Sequence, residues 1–298
     1  MRLIRRFPDP HELRGGSAFL RAFAAGDLVI HATAERARYA PHEAHATLKT
    51  VFSGAEHYAF DRRRVGVRPG DVLLLNRGRP HASAVAERTE SLALFFAPAR
   101  LAAAAAAFAA DEAALLDGVE AAPAAFMETV QPADPALAGR LAALRRAIRA
   151  GEAEGLALEE AVHGVLAALL RQDRGLRRAA EALPAARPAT RAELLRRLLR
   201  ARDLMASDYA RDLDLAEIAA AACLSPHHFL RSFARAFGRT PAQFLAERRL
   251  DVARRRIAAT GEPIGLIAAS VGYGDPAAFA RAFRRRHGMS PSALRRAD

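Results

Sequence analysis

Short apolar runs separated by turn residues dominate the first third of the chain. Leu28-Val29-Ile30, Val72-Leu73-Leu74-Leu75 and Leu92-Ala93-Leu94-Phe95-Phe96 alternate with turn signals at Ser53-Gly54, Asp61-Arg62 and Pro69-Gly70-Asp71. Many short strands at close spacing over residues 27–97 predict a small β-barrel or sandwich. From residue 101 the texture changes to alanine and leucine at helical spacing. Leu137, Leu141, Leu144 and Ile148 form one stripe, and Leu158, Val162, Val165 and Leu169 a second, with Gly151 and Gly155 between them. The pattern is that of a helical hairpin with an apolar face to bury. That face packs on the chain's own barrel or forms the seam of a homodimer, and the seam is the sharper expectation. Leu183 to Thr190 carries two prolines and reads as a linker. A helical region runs from Arg191 to the end.

Two segments of that region repeat at an offset of 50 residues. Ser225, Pro226, Phe229, Arg231, Phe233, Gly238 and Pro241 in the first correspond to Asp275, Pro276, Phe279, Arg281, Phe283, Gly288 and Pro291 in the second. In each copy Ser225 or Asp275 is an N-cap, and the proline after it occupies the first helical position, where a missing N–H costs nothing. The phenylalanine pairs lie four apart on one face and point to the core, while Arg231 and Arg281 fall on another face. Gly238 and Gly288 suit a left-handed helix end. A shorter helix precedes each copy: Leu215 to Ala222, with Asp214 and Glu217 as a capping box, and Ile264 to Val271. The turns between are Cys223-Leu224 and Gly272-Tyr273-Gly274. Short helix, tight turn and capped second helix make the helix-turn-helix plan, whose second helix enters the DNA major groove. A helix over Pro241 to Ala259 spans about 28 Å, which suits two such units placed about one DNA turn, roughly 34 Å, apart.

Charge supports this reading. The chain of 298 residues has a formal net charge of +12, and residues 190–298 carry 20 Arg against 11 acids. Three quarters of the excess thus sits in the repeat region, as expected of a nucleic-acid-binding domain. Cys223 is the only cysteine, which fits a reducing cytoplasm. A packing role is expected for it rather than reactivity. No signal-peptide core precedes Pro8, and the longest apolar run, Leu101 to Ala110, is too short to span a membrane. No nucleophile elbow, phosphate loop, zinc-cysteine pair or dinucleotide fingerprint is present, so no catalytic residue, cofactor or metal is expected.

These spacings resemble the AraC/XylS family of transcription regulators over residues 191–298. The match takes in Ser225 to Pro241, Arg249-Leu250 with Ala253, Ile267-Ala268 with Val271-Gly272-Tyr273, and Phe279 to Pro291. The resemblance implies an α+β protein: a cupin-like β-barrel over residues 1–100, a helical dimerisation segment over 101–182, a linker over 183–190 and a tandem helix-turn-helix domain over 191–298. It implies base contacts by His227, Leu230 and Arg231 in the first unit and by Ala277, Ala278, Ala280 and Arg281 in the second. Arg231 and Arg281 would each discriminate guanine by about 1–3 kcal/mol. Arg235, Arg239, Arg284 and Arg285 are expected on phosphates, where contacts position without specifying. Cys223 stands where many members have a turn glycine, and a left-handed backbone there would be strained.

The stretch Val51 to Gly54, Asp61, Pro69 to Leu75 and Pro80-His81 resembles the cupin-like sensor domain common in that family, which implies a pocket for a small effector. Arg38, His42, His45, Lys49 and His81 are the expected effector contacts, an acidic or hydroxylated effector being the fit for a positive pocket. His42, His45, His57 and His81 cluster in sequence, but His42-Glu43-Ala44-His45 lacks the spacing of catalytic cupins. The function expected is a cytoplasmic, effector-controlled, sequence-specific activator acting on promoter DNA as a homodimer, with RNA polymerase as a further partner. The alternatives are a metal-dependent cupin enzyme tethered to DNA by its helical domain and a structural DNA-coating protein.

Overall fold

A computed structural model describes residues 1–7, 27–60, 63–113, 125–183 and 187–297. The turn expected at Asp61-Arg62 and residues 184–186 of the expected linker lie outside them. The chain divides into two compact units, Met1–Arg178 and Ala179–Asp298.

The first unit holds ten strands among its described residues. They are β1 (Arg2–Ile4), β2 (Leu28–Ala34), β3 (Ala37–His42), β4 (Ala46–Ser53), β5 (Glu56–Phe60), β6 (Arg63–Val67), β7 (Asp71–Leu75), β8 (His81–Val85), β9 (Thr89–Phe96) and β10 (Val130–Pro132). They form a six-stranded sheet, β1-β2-β9-β4-β7-β10, and a four-stranded sheet, β3-β8-β5-β6. All pairings are antiparallel except that of β1 with β2. Val51, Leu73 and Leu75 of the larger sheet meet Tyr58, Phe60, Val65 and Val67 of the smaller in one core. Gly54 turns β4 into β5 at a φ of +69°, and a Cβ there would come within 2.3 Å of the Thr89 hydroxyl oxygen, so only glycine fits.

The outer face of the larger sheet is covered by three helices: α1 (Pro98–Ala113), α2 (Pro135–Ala150) and α3 (Gly155–Glu181). Asp134 caps α2 by accepting from the Leu137 amide, and Gly151 ends it at a φ of +80°. Both apolar stripes, Leu137 to Ile148 and Leu158 to Leu169, are buried against Leu48, Val72, Leu74, Leu92, Leu94 and Phe96. The expectation that these stripes form a dimer seam is therefore corrected: they are consumed in the chain's own core. This also explains why β9 is buried along its whole length, since it has a packed layer on either face. Helices and barrel make one unit here, rather than a barrel over 1–100 and a separate helical segment over 101–182.

Glu90 of β9 fastens this layering. Its carboxylate accepts from Arg145 at 2.8 and 2.6 Å and from Arg149 at 3.1 Å, both on α2, and meets His31 of β2 at 2.8 Å. Burial alone would raise its pKa. The bonds from Arg145 and His31 and the charges of Arg145 and Arg149 outweigh that and hold it near 2.

The second unit is all helical: α4 (Pro188–Ser207), α5 (Leu215–Ala221), α6 (Pro226–Phe237), α7 (Pro241–Ala259), α8 (Ile264–Ser270), α9 (Pro276–His287) and α10 (Pro291–Ala297). α4 begins inside the stretch expected as linker. α7 is the spacer between the two repeats, opened by a complete capping box of Thr240 and Gln243. Its buried Arg248 donates to the Ala206 carbonyl, and Arg249 donates to the carbonyls of Tyr209 and Arg211. Those arginines satisfy carbonyls at and just beyond the end of α4.

Candidate nucleic-acid interface and barrel lumen

The two repeats fold alike. In the first, α5 and α6 are joined through Cys223; in the second, α8 and α9 are joined through Gly272. Leu224 N–H donates to Ala219 O and Tyr273 N–H to Ala268 O, the same bond in both turns. Phe229 and Phe233 pack at 5.4 Å between ring centroids, and Phe279 and Phe283 at 5.6 Å. All four are essentially inaccessible. Gly238 and Gly288 close the helices at φ of +67° and +76°.

The caps differ in detail. Asp275 accepts from the Ala277 and Ala278 amides, whereas Ser225 sits at the N-cap without a side-chain bond. The capping box expected at Asp214 forms only by half. Asp214 accepts from the Glu217 amide, but the Glu217 carboxylate is drawn off by Arg211 at 2.9 Å.

Cys223 has a φ of +51°, the one positive φ at a non-glycine residue described, and its side chain is exposed. The expected packing role is corrected: the left-handed turn projects the thiol outward. A left-handed L-residue costs about 1–2 kcal/mol, partly offset by the chain entropy glycine would lose. Cys223→Gly is expected to stabilise the second unit by about 0.5–1 kcal/mol in urea unfolding. At the matching turn, Gly272→Ala is expected to cost more than about 1 kcal/mol, because its φ is +90° and the new Cβ would lie 3.0 Å from Ala210 O.

His227, Arg231 and Arg235 of α6 and Ala277, Arg281, Arg284 and Arg285 of α9 are exposed. Ala278 and Ala280 are half-buried. Arg281 has one distant carboxylate, Asp275 at 3.8 Å, and keeps 72% of its side-chain surface. Two expected contacts are otherwise engaged. Leu230 is half-buried and lines a groove of about 460 Å³ with Leu215, Ile218, Pro241 and Leu245. Arg239 is ion-paired with Glu247 of α7 and lies over the Phe244 ring.

In the first unit, His42 and His81 face each other across β3 and β8, their rings 4.5 Å apart. Lys49 of β4 stands in a row between Leu73 and Ala93, with its Nζ 4.5 Å from the Phe95 ring centroid and 5.9 Å from that of Tyr58. Both rings are buried, so the ammonium is inside the barrel. Burial lowers its pKa to about 8 against the opposing pull of Glu56. His81 is pushed down to about 3 by burial and then by the Lys49 charge. His42 is lowered too, by burial first. His45 precedes β4 with its Nε2 buried.

Arg38 is a correction. It pairs with Ala84 in a row that continues to His57 and Gly66, next to the inward row of Tyr39, Ser83, Tyr58 and Val65. Arg38 and His57 are exposed on the outer face of the smaller sheet. An irregularity in β3 between Tyr39 and His42 reverses the alternation, so His42 faces inward although Arg38 does not. Sequence reasoning passed over Tyr39, Glu56, Tyr58 and Phe95, which complete the lumen. The strand alternation that makes Glu56, Tyr58 and Phe60 inward was the signal that could have found them.

A duplicated helix-turn-helix module with a β-barrel whose interior carries polar groups defines a class: β-barrels linked in one chain to DNA-binding helices. Comparison with known proteins narrows it. Residues 218–297 match the helix-turn-helix domain family model, and residues 26–166 match the AraC-like ligand binding domain. In both of its units the chain is thus similar to AraC-type transcriptional regulators. It is 35% identical over 80 residues to the probable transcriptional regulator LumQ of Photobacterium leiognathi, covering 27% of this chain and 32% of that protein. It is 36% identical over 83 residues to an HTH-type transcriptional regulator of Mycobacterium tuberculosis, covering 28% and 32%. It is 31% identical over 91 residues to the arabinose operon regulatory protein of Escherichia coli, covering 30% and 31%. The matched stretch thus spans about a third of the length of each of these relatives. They are named as regulators, and nothing among them supports the cupin-enzyme alternative. No described helix is long and apolar enough to cross a membrane.

Proposed function

We propose that this chain regulates transcription by binding specific double-stranded promoter DNA through α6 and α9, under the control of a small molecule held in its barrel. The observation that carries this reading is the duplication itself. Two helices with the same first-position proline, phenylalanine core pair and C-terminal glycine each present an exposed arginine at the same position, Arg231 and Arg281. Arg235, Arg284 and Arg285 are exposed beside them, and no described carboxylate pairs with them, which suits phosphate contact. Arg239 contributes only by releasing Glu247. The half-buried Ala278 and Ala280 offer methyl contacts, so the second unit relies on Arg281 for hydrogen-bonded readout. A homodimer raises affinity through effective concentration. Its interface uses a surface other than the two buried stripes. RNA polymerase is the further partner for an activator.

The test is a binding-site selection with footprinting on the DNA beside the chain's own coding region. Arg231→Ala and Arg281→Ala are each expected to relax preference at one base pair by about fivefold to 150-fold, equivalent to about 1–3 kcal/mol. Arg284→Ala should weaken all sequences alike and lower the salt dependence. An unchanged preferred site in both arginine variants overturns the reading.

A further inference from the structure

Of the chain's 45 basic residues, 44 are arginine, and the single lysine is Lys49. Whatever drives the arginine usage elsewhere, the position inside the barrel at residue 49 carries a compact ammonium rather than a guanidinium. We infer that the lumen binds a small hydroxycarboxylic acid, with its carboxylate on the Lys49 ammonium and its hydroxyl donating to Nε2 of His81. This rests on the proposed effector role of the barrel and names the effector's chemical class.

The two groups make complementary demands. Lys49 has three N–H donors and no acceptor, and its ammonium lies between the Phe95 and Tyr58 rings. No hydrogen bond or ion pair from any described residue reaches it. Glu56 is an opposing charge that acts on it, but its carboxylate already accepts from the Ser91 hydroxyl at 2.9 Å and from the Tyr58 hydroxyl. The Lys49 residue as a whole is half-buried. His81 is the opposite case. Its Nδ1–H donates to the Arg79 carbonyl at 3.0 Å, which fixes the neutral tautomer and leaves Nε2 as a lone pair. The residue is 1% exposed, and its Nε2 has no partner.

A carboxylate satisfies Lys49 and cannot satisfy His81, because both would be acceptors. The ligand must therefore also bring a donor. A second ammonium, as in an amino acid, is disfavoured by the Lys49 charge, the same charge that opposes protonation of His42 and His81. A hydroxyl is the neutral donor that remains. Tyr58 and Phe95 supply apolar walls for the carbon skeleton.

One lysine makes the test direct. Full-length protein grown with 13Cε-lysine carries one labelled side chain, whose resonance reports both pKa and ligand contact. The probes are linear and aromatic hydroxycarboxylates from glycolate to 4-hydroxyphenylacetate. Each is paired with its counterpart lacking the hydroxyl and with its methyl ester.

At least one hydroxy acid is expected to shift the Lys49 resonance saturably and to raise its pKa by a unit or more, while binding at least tenfold more tightly than both counterparts. Lys49→Met should weaken that binding at least tenfold in a thermal-shift titration. His81→Phe should abolish the preference for the hydroxyl and leave the carboxylate response. If no hydroxy acid moves the resonance, or the counterparts move it equally, the inference is overturned. Failure of either variant to fold leaves the wild-type comparison decisive. DNA binding measured on the same protein without ligand reports separately on the regulatory reading.

Discussion

Phe233→Ala is expected to cost about 3–5 kcal/mol and to unfold much of the first helix-turn-helix unit at physiological temperature. Phe233 is fully buried, and its ring lies 5.4 Å from Phe229, 4.6 Å from Phe237 and 5.9 Å from Phe244. It therefore joins α6 to itself and to the spacer helix α7. Truncation removes the transfer energy of a whole ring and leaves a cavity that the surrounding rings fill only in part. Differential scanning calorimetry should show the transition of the second unit falling by more than about 10 °C. Amide exchange should localise the loss to α5–α7. A cost below about 1 kcal/mol would mean that the aromatic cluster is not what holds the repeat together.

Acidification should weaken the first unit through Glu90. Its pKa in the fold is about 2, below the ordinary 4.5. The folded state thus favours the ionised form. The stabilisation is fully present above about pH 4.5 and is lost as pH falls towards 2. Arg145 and Arg149 keep 31% and 59% of their side-chain surface, so solvent screens part of the interaction. A contribution of about 2 kcal/mol is expected after that discount. Glu90→Gln should lose that amount at pH 7 and flatten the acid limb of a stability-against-pH curve. Identical curves for the two proteins between pH 2 and 5 would show that the Arg145–Glu90–Arg149 cluster does not fasten α2 to the sheet.

The helical half was legible in the sequence because its determinants are local. Caps, a proline at the first helical position, phenylalanines four apart and a terminal glycine lie within a dozen residues of each other, and each acts through the backbone of its own helix. The long strands were legible for a related reason, since their apolar runs are dense. β1 and β10 were not: three residues carry too little pattern, and their pairing depends on distant strands. The stripes on α2 and α3 were visible as apolar faces, but periodicity does not say what covers a face. The sheet's own outer surface does, through Leu48, Leu74 and Leu94. Arg38 was misplaced for a subtler reason. Strand alternation puts residues 38 and 42 on one side, and the irregularity between Tyr39 and His42 undoes it. Glu90 was missed because its partners come from 55 to 59 residues away.

The burial of both stripes against the larger sheet also governs how the polypeptide can be divided. A fragment ending near Ala97 would strip three helices from the sheet and leave Leu48, Val72, Leu74, Leu92, Leu94 and Phe96 facing water, a patch prone to self-association. Severing the chain near Ala179 opens no such surface in the first unit's core, since the last residue of that core cluster is Leu170. Barrel and helical cover are thus not separable pieces.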